Sequence, residues 1–559
     1  MKIIKLSLVC AFLIFAKSSL YSQSLPVGTK SLEDYFRRAQ LQGRADTNVS
    51  FTIRPLYPGY LSKNIFFPDS TERNLDTNST WVSKNGKLKT ILLPFSFQTK
   101  ANSSHPSGWN DGPMIPAKGF QAVVSGGVFV QYGPLAIQLA PEFIGAENAE
   151  FDTFDKNHYD VIYARYYDIY NNVDLPARFG SSPYARAYWG QSSIRLNYKS
   201  ISAGVSTENL WWGPGIRNSL LMSNTAPGFT HLTLNTTKPI ITPVGSFEGA
   251  IIGGSLRNSN FAPLVPDKSY FGTNLYVPKP NNWRYLSGFI VTWQPKWVPG
   301  LFLGLDQTQQ MYGKNLNGIK DYLPFFSTIK NNNSADSPIN SKDQLSAMFM
   351  RWLWPQEHAE IYFEYGKYNN SQNFTQELLN PNNARAYIFG IRKLLPFKHR
   401  LDENILINVE VTQLQGTSIA KDIQGQEWYV SQGIRQGYTN QGQEIGAGVG
   451  PGGNLQSLEV SWVKGLKKLG LQLERYVHDN DFYYYAFHDS QDYTRHWVDL
   501  SMGFDGEWNY KNLIFNAQLQ FTNSLDYQWG LSQPGNDIAF QHQINKFNLQ
   551  IQTGITYRF

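Results

Sequence analysis

The last thirteen residues of the chain alternate between apolar and polar side chains, and this pattern restricts the possible folds more than any other feature. The apolar positions are Phe547, Leu549, Ile551, Ile555, Tyr557 and Phe559. The positions between them are Asn548, Gln550, Gln552, Gly554, Thr556 and Arg558. Successive side chains of a β-strand point to opposite faces, so the alternation predicts a strand with one apolar and one wet face.

The same alternation recurs at 301–306, 360–365, 405–412, 498–505 and 513–521, which indicates a largely β protein. A soluble β-sandwich would also alternate. However, the connections between the candidate strands are short and long in turn, and the short ones combine aromatic residues with turn formers. Examples of short connections are 131–134, 293–300 and 354–357. Brief periplasmic turns, long external loops and aromatic girdles are typical of outer-membrane barrels.

The number of candidate strands is even, which places both chain termini in the periplasm. We therefore predict an all-β fold, a transmembrane antiparallel β-barrel of about 18 strands with a short N-terminal periplasmic helical segment. The candidate strands begin near Lys89, Phe120, Leu135, Gln191, Ile201, Thr230, Gly245, Trp283, Leu301, Gln344, Ala359, Ala384, Asn404, Leu455, Leu469, His496, Asn512 and Phe547.

Composition agrees with a barrel. Hydrophobic residues make up 41% and charged residues 16% of the 559 positions, against roughly 25% charged residues in soluble domains. A helical membrane protein is excluded, because no run approaches the roughly 20 apolar residues that span a bilayer as a helix. The formal charge is +6, and +3 without Lys2, Lys5 and Lys17, too small to indicate a nucleic-acid partner.

Three parts are predicted along the chain: a signal peptide at 1–22, a periplasmic N-terminal segment with a short helix at 23–88, and the barrel with long extracellular loops at 89–559. The only cysteine, Cys10, lies in the signal peptide, so no disulfide is expected. A weak capping box at 31–34 begins a helix that we expect to pack on the barrel mouth. A second helical pattern at 159–170 is aromatic, and we expect it to fold into or over the lumen.

Three glycine-containing motifs, the first at 208–229, the second at 437–454 and the third at 108–119, place aromatic residues beside amides and charged groups. An aromatic ring can stack on the apolar face of a sugar, and planar polar groups bond its hydroxyls. The alternative is that glycine and proline shape tight loops that tryptophan anchors. On the sugar-binding interpretation, the candidate residues are Glu208, Trp211, Trp212, Arg217, Asn218, Trp109, Tyr438, Asn440 and Asn454.

At these residues the sequence resembles the Wzi capsule-assembly family of outer-membrane proteins, in its Bacteroidetes-type form. The runs Trp211-Trp-Gly-Pro-Gly215 and Gly437-Tyr-Thr-Asn-Gln-Gly442 are the most specific. Other matching segments are 108–112, 141–148, 174–180, 190–195, 216–224, 360–366, 385–387 and 443–454. The resemblance implies an eighteen-stranded barrel with a periplasmic helical element, and lectin-like binding of capsular polysaccharide without catalysis.

Charged residues on the candidate strands are interpreted as a ladder that fills the lumen and can tune its selectivity. Its predicted members are Arg351, Glu360, Glu364, Arg385, Glu410 and Glu474. The segment His478–Asp481, with His488, Asp489, Asp492 and His496, could hold a cation, but a solvated acidic loop near lipopolysaccharide is the preferred interpretation. No catalytic triad or elbow motif is found, and neither an enzyme nor a cofactor is predicted.

The function predicted from these features is lectin-like binding of capsular or other surface polysaccharide, which helps its assembly or attachment on a Gram-negative cell. The expected partners are that polysaccharide, outer-membrane lipids and lipopolysaccharide, with no nucleic acid, and the barrel is expected to be a monomer. A porin or substrate-specific channel is the main alternative, since eighteen strands can enclose a water-filled lumen. A barrel enzyme acting on lipid or glycan is a third.

Overall fold

The computed structural model describes residues 23–57, 65–68, 80–155, 158–323, 342–368, 384–416, 427–487, 495–530 and 544–559. Within them, antiparallel strands close into one barrel, and the last strand pairs with the first, with Gly554 opposite Gln98. The predicted fold class and strand number are confirmed, and every predicted start lies in or within two residues of a different strand. The predicted signal peptide lies outside the described residues.

Three of the eighteen strands consist of two segments that continue along the same neighbours. The strands are β1 (Leu88–Asn102), β2 (Gly119–Tyr132), β3 (Leu135–Leu139 and Glu142–Ala146), β4 (Tyr184–Tyr188 and Ser193–Tyr198), β5 (Ile201–Ser206), β6 (His231–Thr236 and Ile240–Thr242), β7 (Gly245–Leu256), β8 (Arg284–Pro295), β9 (Leu301–Tyr312), β10 (Lys342–Trp354), β11 (Ala359–Tyr368), β12 (Arg385–Phe397), β13 (Arg400–Gln413), β14 (Asn454–Lys464), β15 (Lys467–Val477), β16 (Val498–Tyr510), β17 (Leu513–Leu525) and β18 (Lys546–Tyr557).

The helices and the remaining strands are short. The helices are α1 (Lys30–Leu41), α2 (Asp160–Tyr170), α3 (Ile319–Tyr322) and α4 (Asn480–Phe487), with 3-10 turns at Gly313–Asn315, Pro355–Glu357 and Tyr527–Trp529. Thr80–Val82 extends the sheet beside β1, and two-residue strands pair Ile53–Arg54 with Trp211–Trp212, Ser269–Tyr270 with Thr273–Asn274, and Thr439–Asn440 with Gln443–Glu444. In the described residues, no helix combines the length and apolar character needed to cross a membrane.

The alternation of β18 becomes a division between the two faces of the barrel wall. Phe547, Ile551 and Ile555 are exposed on the outside, whereas Asn548 and Gln550 are buried in the lumen. An apolar outer face suits lipid, and a closed barrel pairs the backbone groups that lipid cannot hydrogen-bond. The wall is therefore built as the sequence predicts.

Helix α1 lies inside the lumen, deeper than the predicted position on the barrel mouth. Arg37 is buried, and its Nε donates to a carboxylate oxygen of Glu360 on β11 at 2.7 Å. Arg38 donates to the carbonyl of Gly465, between β14 and β15, at 3.0 Å. The last residue, Leu41, packs in an apolar cluster near the short turns, with Leu353, Leu394, Leu406 and Val463. A charged helix face finds its partners among lumenal carboxylates and carbonyls, which explains the deeper position.

Helices α2 and α4 form an aromatic cap at the long-loop end of the barrel. The Phe154 ring stacks on Tyr166 of α2, with centroids 4.4 Å apart, and meets Phe482 of α4 edge-on at 6.0 Å. The helix predicted over 159–170 is present, and its aromatic face packs against α4. The His478–Asp481 segment is not a solvated loop, because Asp481 is buried and lies in the first turn of α4. His488, Asp489 and Asp492 lie outside the described residues.

This cap predicts a local pH dependence. Burial raises the pKa of Asp481 to about 7, against hydrogen bonds from Gly416 N–H, and burial together with Asp481 raises the pKa of Asp479 to about 8. The cap then holds protons between about pH 4 and 8 that the unfolded segment releases, so its stability falls as the pH rises. We expect Asp481→Asn to slow hydrogen exchange of Asn480–Phe487 at pH 8, by an amount that corresponds to about 1–3 kcal/mol of added local stability.

That exchange is measured at pH 4 and pH 8 and corrected for intrinsic rates. The gain from Asp481→Asn should shrink toward pH 4, where the unfolded state of the wild type also begins to bind protons. Asp160→Asn, on the exposed start of α2, is the matched control and should leave α4 exchange unchanged. An equal effect of Asp481→Asn at both pH values would contradict the titration as its cause.

Candidate functional site

The three sequence motifs meet inside the lumen rather than on separate external loops. Trp109 Nε1 and Asn110 Nδ2, from the third motif, both donate to the carbonyl of Arg217, at 3.2 and 2.6 Å. Ser223 N–H, from the first motif, donates to the carbonyl of Ile445, from the second, at 2.8 Å. Residues 23–57 and the inward-folded segments 108–119, 207–230 and 427–453 are called the plug below.

The first motif is joined to the N-terminal part of the plug by backbone pairing. Trp211 and Trp212 pair with Arg54 and Ile53 as a two-stranded sheet. Gly213 continues this sheet by donating its N–H to the carbonyl of Thr52 at 2.8 Å. Its φ is +112°, and a Cβ there would lie 2.5 Å from a Glu364 carboxylate oxygen, so the Trp-Trp-Gly run requires glycine at this position.

The two tryptophans of this run are core residues of the plug. Trp212 is 0% exposed and packs among apolar side chains of the barrel centre. Trp211 is 3% exposed, and the Arg54 guanidinium lies 4.9 Å from its ring centroid. A buried ring whose face is already covered by a guanidinium is not free to stack on a sugar. Trp212 therefore anchors the plug, while Trp211 forms part of a cavity wall.

Two carboxylates of the predicted ladder hold the backbone of the first motif. Glu410, on β13, accepts hydrogen bonds from the N–H groups of Ile216, Arg217 and Asn218, at 2.7, 3.1 and 2.9 Å. Glu364, on β11, accepts from Leu220 N–H at 3.0 Å. Three successive amides directed at one carboxylate form an anion-binding turn. Both acids thus fix the motif in the lumen instead of lining an open channel.

Glu360, Arg351 and Glu474 also bind plug residues. Glu360 accepts from Arg37 of α1 and from Arg351 of β10, at 2.7 Å each, and Arg351 Nη1 donates to the carbonyl of Ser50 at 2.9 Å. Glu474, on β15, accepts from Arg217 Nη2 at 2.5 Å. These ion pairs are buried or nearly so, which makes them strongly dependent on an intact partner.

The prediction for Arg385 is wrong, because this residue lies on the outer face of β12. It is opposite Lys367, and its guanidinium lies 5.9 Å from the Tyr387 ring centroid. The arginine of β12 that points into the lumen is Arg392, which is buried and bound to Asp34 of α1. Arg392 lies an odd number of positions from Arg385, so strand parity separates the two.

The other predicted sugar-binding residues are buried in structural contacts. Glu208 binds Arg195 at 2.6 Å, and although burial opposes its ionisation, this guanidinium lowers its pKa. Tyr438 stacks on Tyr429, with centroids 5.7 Å apart. The three candidate asparagines donate structural hydrogen bonds. Asn218 Nδ2 donates to Thr412 Oγ1 at 3.2 Å, Asn440 Nδ2 to the Pro227 carbonyl at 2.9 Å, and Asn454 Nδ2 to Gln415 Oε1 at 3.1 Å.

Of the nine candidate residues, Trp109 and Arg217 are the two that are not buried. Both are only partly buried, and the Arg217 guanidinium lies 5.1 Å from the Trp109 ring centroid. Arg217 lines a cavity of about 200 Å³ between the plug and the strand wall. Polar groups surround this cavity, among them Arg54, Asn110, Lys468, Gln472, Asn516, Gln518 and Gln552.

A second cavity of about 190 Å³ shares Asn110, Asn516 and Gln552 with the first. Asp111 on its edge binds Lys100 at 2.6 Å and Lys30 at 3.5 Å. Burial opposes ionisation of this carboxyl, but the two ammonium groups lower its pKa to about 2. Hydroxyls of an uncharged chain could be bonded by such a lining of amides and fixed charges.

Metal chemistry receives no support from the ranges that the structure describes, where no group of three or more His, Cys, Asp or Glu residues could hold an ion. His478 instead stacks on Trp497, with centroids 3.6 Å apart, and its Nε2 lies 2.8 Å from Asp499. The residues that the sequence did not single out are Asp34, Arg37 and Arg392, which connect α1 to the wall. Their positions on the helix and on the strand could be read from the sequence, but the residues that they bind could not.

Comparisons with known proteins agree with this architecture. The family model described as "Capsule assembly protein Wzi" matches residues 96–526. A search of curated proteins finds no match. Among solved structures, the Escherichia coli outer-membrane protein Wzi, described as a carbohydrate-binding β-barrel involved in group 1 capsule assembly, has a TM-score of 0.59 at 13% identity, covering 96% of this chain and 100% of its own.

Acinetobacter baumannii OccAB2 has a TM-score of 0.38 at 9% identity, covering 83% of this chain and 98% of its own. Pseudomonas aeruginosa OpdQ has a TM-score of 0.37 at 7% identity, covering 84% and 97%. The family model spans most of the barrel, from β1 into the end of β17. This chain belongs to the Wzi capsule assembly family, and it is an outer-membrane β-barrel of a Gram-negative bacterium.

Proposed function

We propose that this barrel binds capsular or other surface polysaccharide in a lectin-like way, and helps its assembly or attachment at the cell surface without catalysis. The observation that carries the proposal is the plug, in which the three motifs of the family converge and the lumenal acids are engaged. A lumen occupied in this way suits a binding scaffold better than a free diffusion channel. The carbohydrate-binding description of the Escherichia coli relative supports the same assignment.

Two classes of residue follow from the geometry. Arg217 is the proposed sugar contact of the lumenal cavity, since its partly exposed guanidinium lines the cavity and can offer hydrogen-bond donors. Trp109 is proposed to orient this guanidinium, which lies 5.1 Å from its ring centroid. Trp211 forms part of the cavity wall. Glu208, Trp212, Asn218, Tyr438, Asn440 and Asn454 are proposed to position the motif loops.

The wall itself suggests the remaining partners. Its outward apolar residues, such as Phe504 and Ile551, are proposed to contact outer-membrane lipids and the acyl chains of lipopolysaccharide. The sheet closes on itself, with β18 paired to β1, so no first or last strand of the sheet requires a second copy to cover it. A monomer is therefore the proposed state.

The proposal is tested by the retention of surface polysaccharide, extracted from the producing cells, on the immobilised barrel in detergent. We expect saturable retention by the wild type, and binding about tenfold weaker or more for Trp109→Ala/Arg217→Gln, because a charged donor and the ring that orients it are lost. The matched control is Lys296→Gln/Trp297→Ala in the exposed turn at the opposite end of the barrel, which should bind like the wild type.

Equal binding by the wild type and by Trp109→Ala/Arg217→Gln would contradict the assignment of the cavity. Absence of binding by the wild type would contradict the proposed function. The same samples test catalysis, since the chain length of the polysaccharide should be unchanged after prolonged incubation. Shortened chains would favour a barrel enzyme instead.

A further inference from the structure

The barrel wall has a lateral opening at its long-loop end, between β4 and β7. Strand β5 ends at Ser206 and β6 begins at His231, which pairs with Ser206 and with Gly254 of β7. Beyond the His231–Ser206 pair, toward the long-loop end, the segment Tyr184–Tyr188 of β4 pairs with β3 alone. No strand among the described residues covers the other side of this segment. The connection between β5 and β6 enters the lumen as part of the plug, so it does not close the opening.

A cleft of about 280 Å³ is lined by residues from both sides of this opening, and we call it the rim cleft. Its lining comes from the start of β4, the segment after β7, the segment before β8 and the tip of the second motif. The residues are Tyr184, Arg186, Arg257, Asn258, Ser259, Asn260, Phe261, Asn281, Asn282, Trp283 and Gln441. Every one of them has polar or aromatic character, and no acidic residue is present.

The two arginines give the rim cleft its charge. Arg186 and Arg257 are both exposed, and neither forms an ion pair with any residue in the described ranges. The Arg186 guanidinium lies 5.6 Å from the Tyr184 ring centroid, which orients its planar group. A guanidinium bonds a carboxylate through two parallel N–H groups, a geometry that an ammonium does not offer. The cleft therefore favours an anionic ligand.

Trp283 and the amides add features that a sugar ring requires. Trp283 is 50% exposed, and one edge of its ring packs closely on Gly313, where a Cβ would lie 2.1 Å from the indole. A fixed, half-exposed indole is a stacking surface with little conformational entropy to lose. The five amide side chains of the lining can donate to and accept from hydroxyl groups.

The rim cleft is held in place by family motif residues. Arg257 N–H donates to Asn440 Oδ1 at 3.0 Å, and the Arg257 carbonyl accepts from Gln441 N–H at 2.9 Å. Asp174 accepts from Ser259 N–H and Oγ at 2.7 and 2.6 Å. Because these hydrogen bonds already fix the backbone around Arg257 and Ser259, ligand binding needs to order little additional chain. This also gives Asn440 and Asp174 a positioning role.

We propose that the rim cleft is a polysaccharide-binding site selective for acidic sugars, in which Arg186 and Arg257 bind carboxylates of the glycan while Trp283 stacks on a neighbouring ring. This inference rests on the proposed function and specifies its substrate class and its site at the cell surface. The opening in the wall lets an extended chain pass beside the rim. Stacking surfaces and amides are better matched to sugar rings than to an isolated lipopolysaccharide phosphate.

The test measures the affinity of oligosaccharides prepared from the surface polysaccharide of the producing cells. We expect Arg186→Gln/Arg257→Gln to bind at least about tenfold more weakly than the wild type, because charge-assisted hydrogen bonds are lost. Reducing the carboxylates of the same oligosaccharides to primary alcohols should weaken wild-type binding by a similar factor and leave the double variant unchanged. Lys314→Gln/Lys320→Gln, which removes two exposed external charges elsewhere, is the matched control.

The outcomes separate this inference from the proposed function. Wild-type binding that is unaffected by Arg186→Gln/Arg257→Gln, or by carboxyl reduction, would overturn the inference and leave the lectin role intact. No binding by the wild type would overturn both. Loss of lipopolysaccharide binding with unchanged oligosaccharide binding in the double variant would assign the cleft to lipopolysaccharide, and it would also overturn the inference.

Discussion

Replacing Trp212 with alanine is expected to release the plug and turn a silent barrel into a conducting one. Trp212 is fully buried between the first motif and the barrel wall, and its backbone pairs with Ile53 and Met222. Truncating a buried tryptophan removes about 3–5 kcal/mol of packing. Because an eighteen-stranded wall can enclose a water-filled lumen, loss of the plug should expose a pore. Single-channel recording in planar bilayers measures this directly.

The matched control is Trp297→Ala, which removes an indole that is 67% exposed in a short turn. We expect both this variant and the wild type to show no steady conductance. A large steady conductance of the wild type would favour the porin alternative over a plugged lectin. A Trp212→Ala barrel that stays as silent as Trp297→Ala would show that other plug contacts suffice to close the lumen.

The second large effect is expected for Glu360→Gln. Glu360 is buried between Arg37 of α1 and Arg351 of β10. Removing its charge leaves two buried guanidinium groups without their shared anion, which destabilises the attachment of α1 by about 3–5 kcal/mol. The expected result is rapid proteolysis within residues 23–57, while the barrel itself resists both protease and heating in detergent.

Glu357→Gln lies in the short turn of the same hairpin and is the control for Glu360→Gln. Its side chain is 75% exposed, and its nearest ammonium, on Lys393, is 3.7 Å away. Exposed pairs of this kind contribute about 0–1 kcal/mol, so proteolysis of α1 should match the wild type. If Glu360→Gln also matched the wild type, the ion pairs would not be what retains α1.

The strand positions of this barrel could be predicted because alternation is a local property that each segment carries by itself. The same reasoning failed for Arg385. The lumenal face of β12 carries Ala386 and Ile388, which pack against the plug, and its outer face carries Phe389, which faces lipid. Both faces of the strand are therefore apolar, and parity cannot be read from hydropathy alone.

The plug could not be predicted for a different reason. Trp211 and Trp212 pair with Ile53 and Arg54, which lie far away in sequence, and no local pattern encodes that pairing. The motifs indicated which loops matter, and the structure brings them together, but most of their side chains support the plug. The rim cleft could not be predicted either, because its residues come from four separate segments and no local pattern marks any of them.

If this protein holds polysaccharide at the cell surface, cells without it should retain less polysaccharide. The most direct measurement compares cell-attached with released polysaccharide in producing cells that carry the wild type, no protein, or Arg186→Gln/Arg257→Gln at equal outer-membrane levels. We expect that loss of the protein shifts polysaccharide from the cells to the medium, and that the double variant shifts it in the same direction. An unchanged distribution in cells without the protein would contradict the claim.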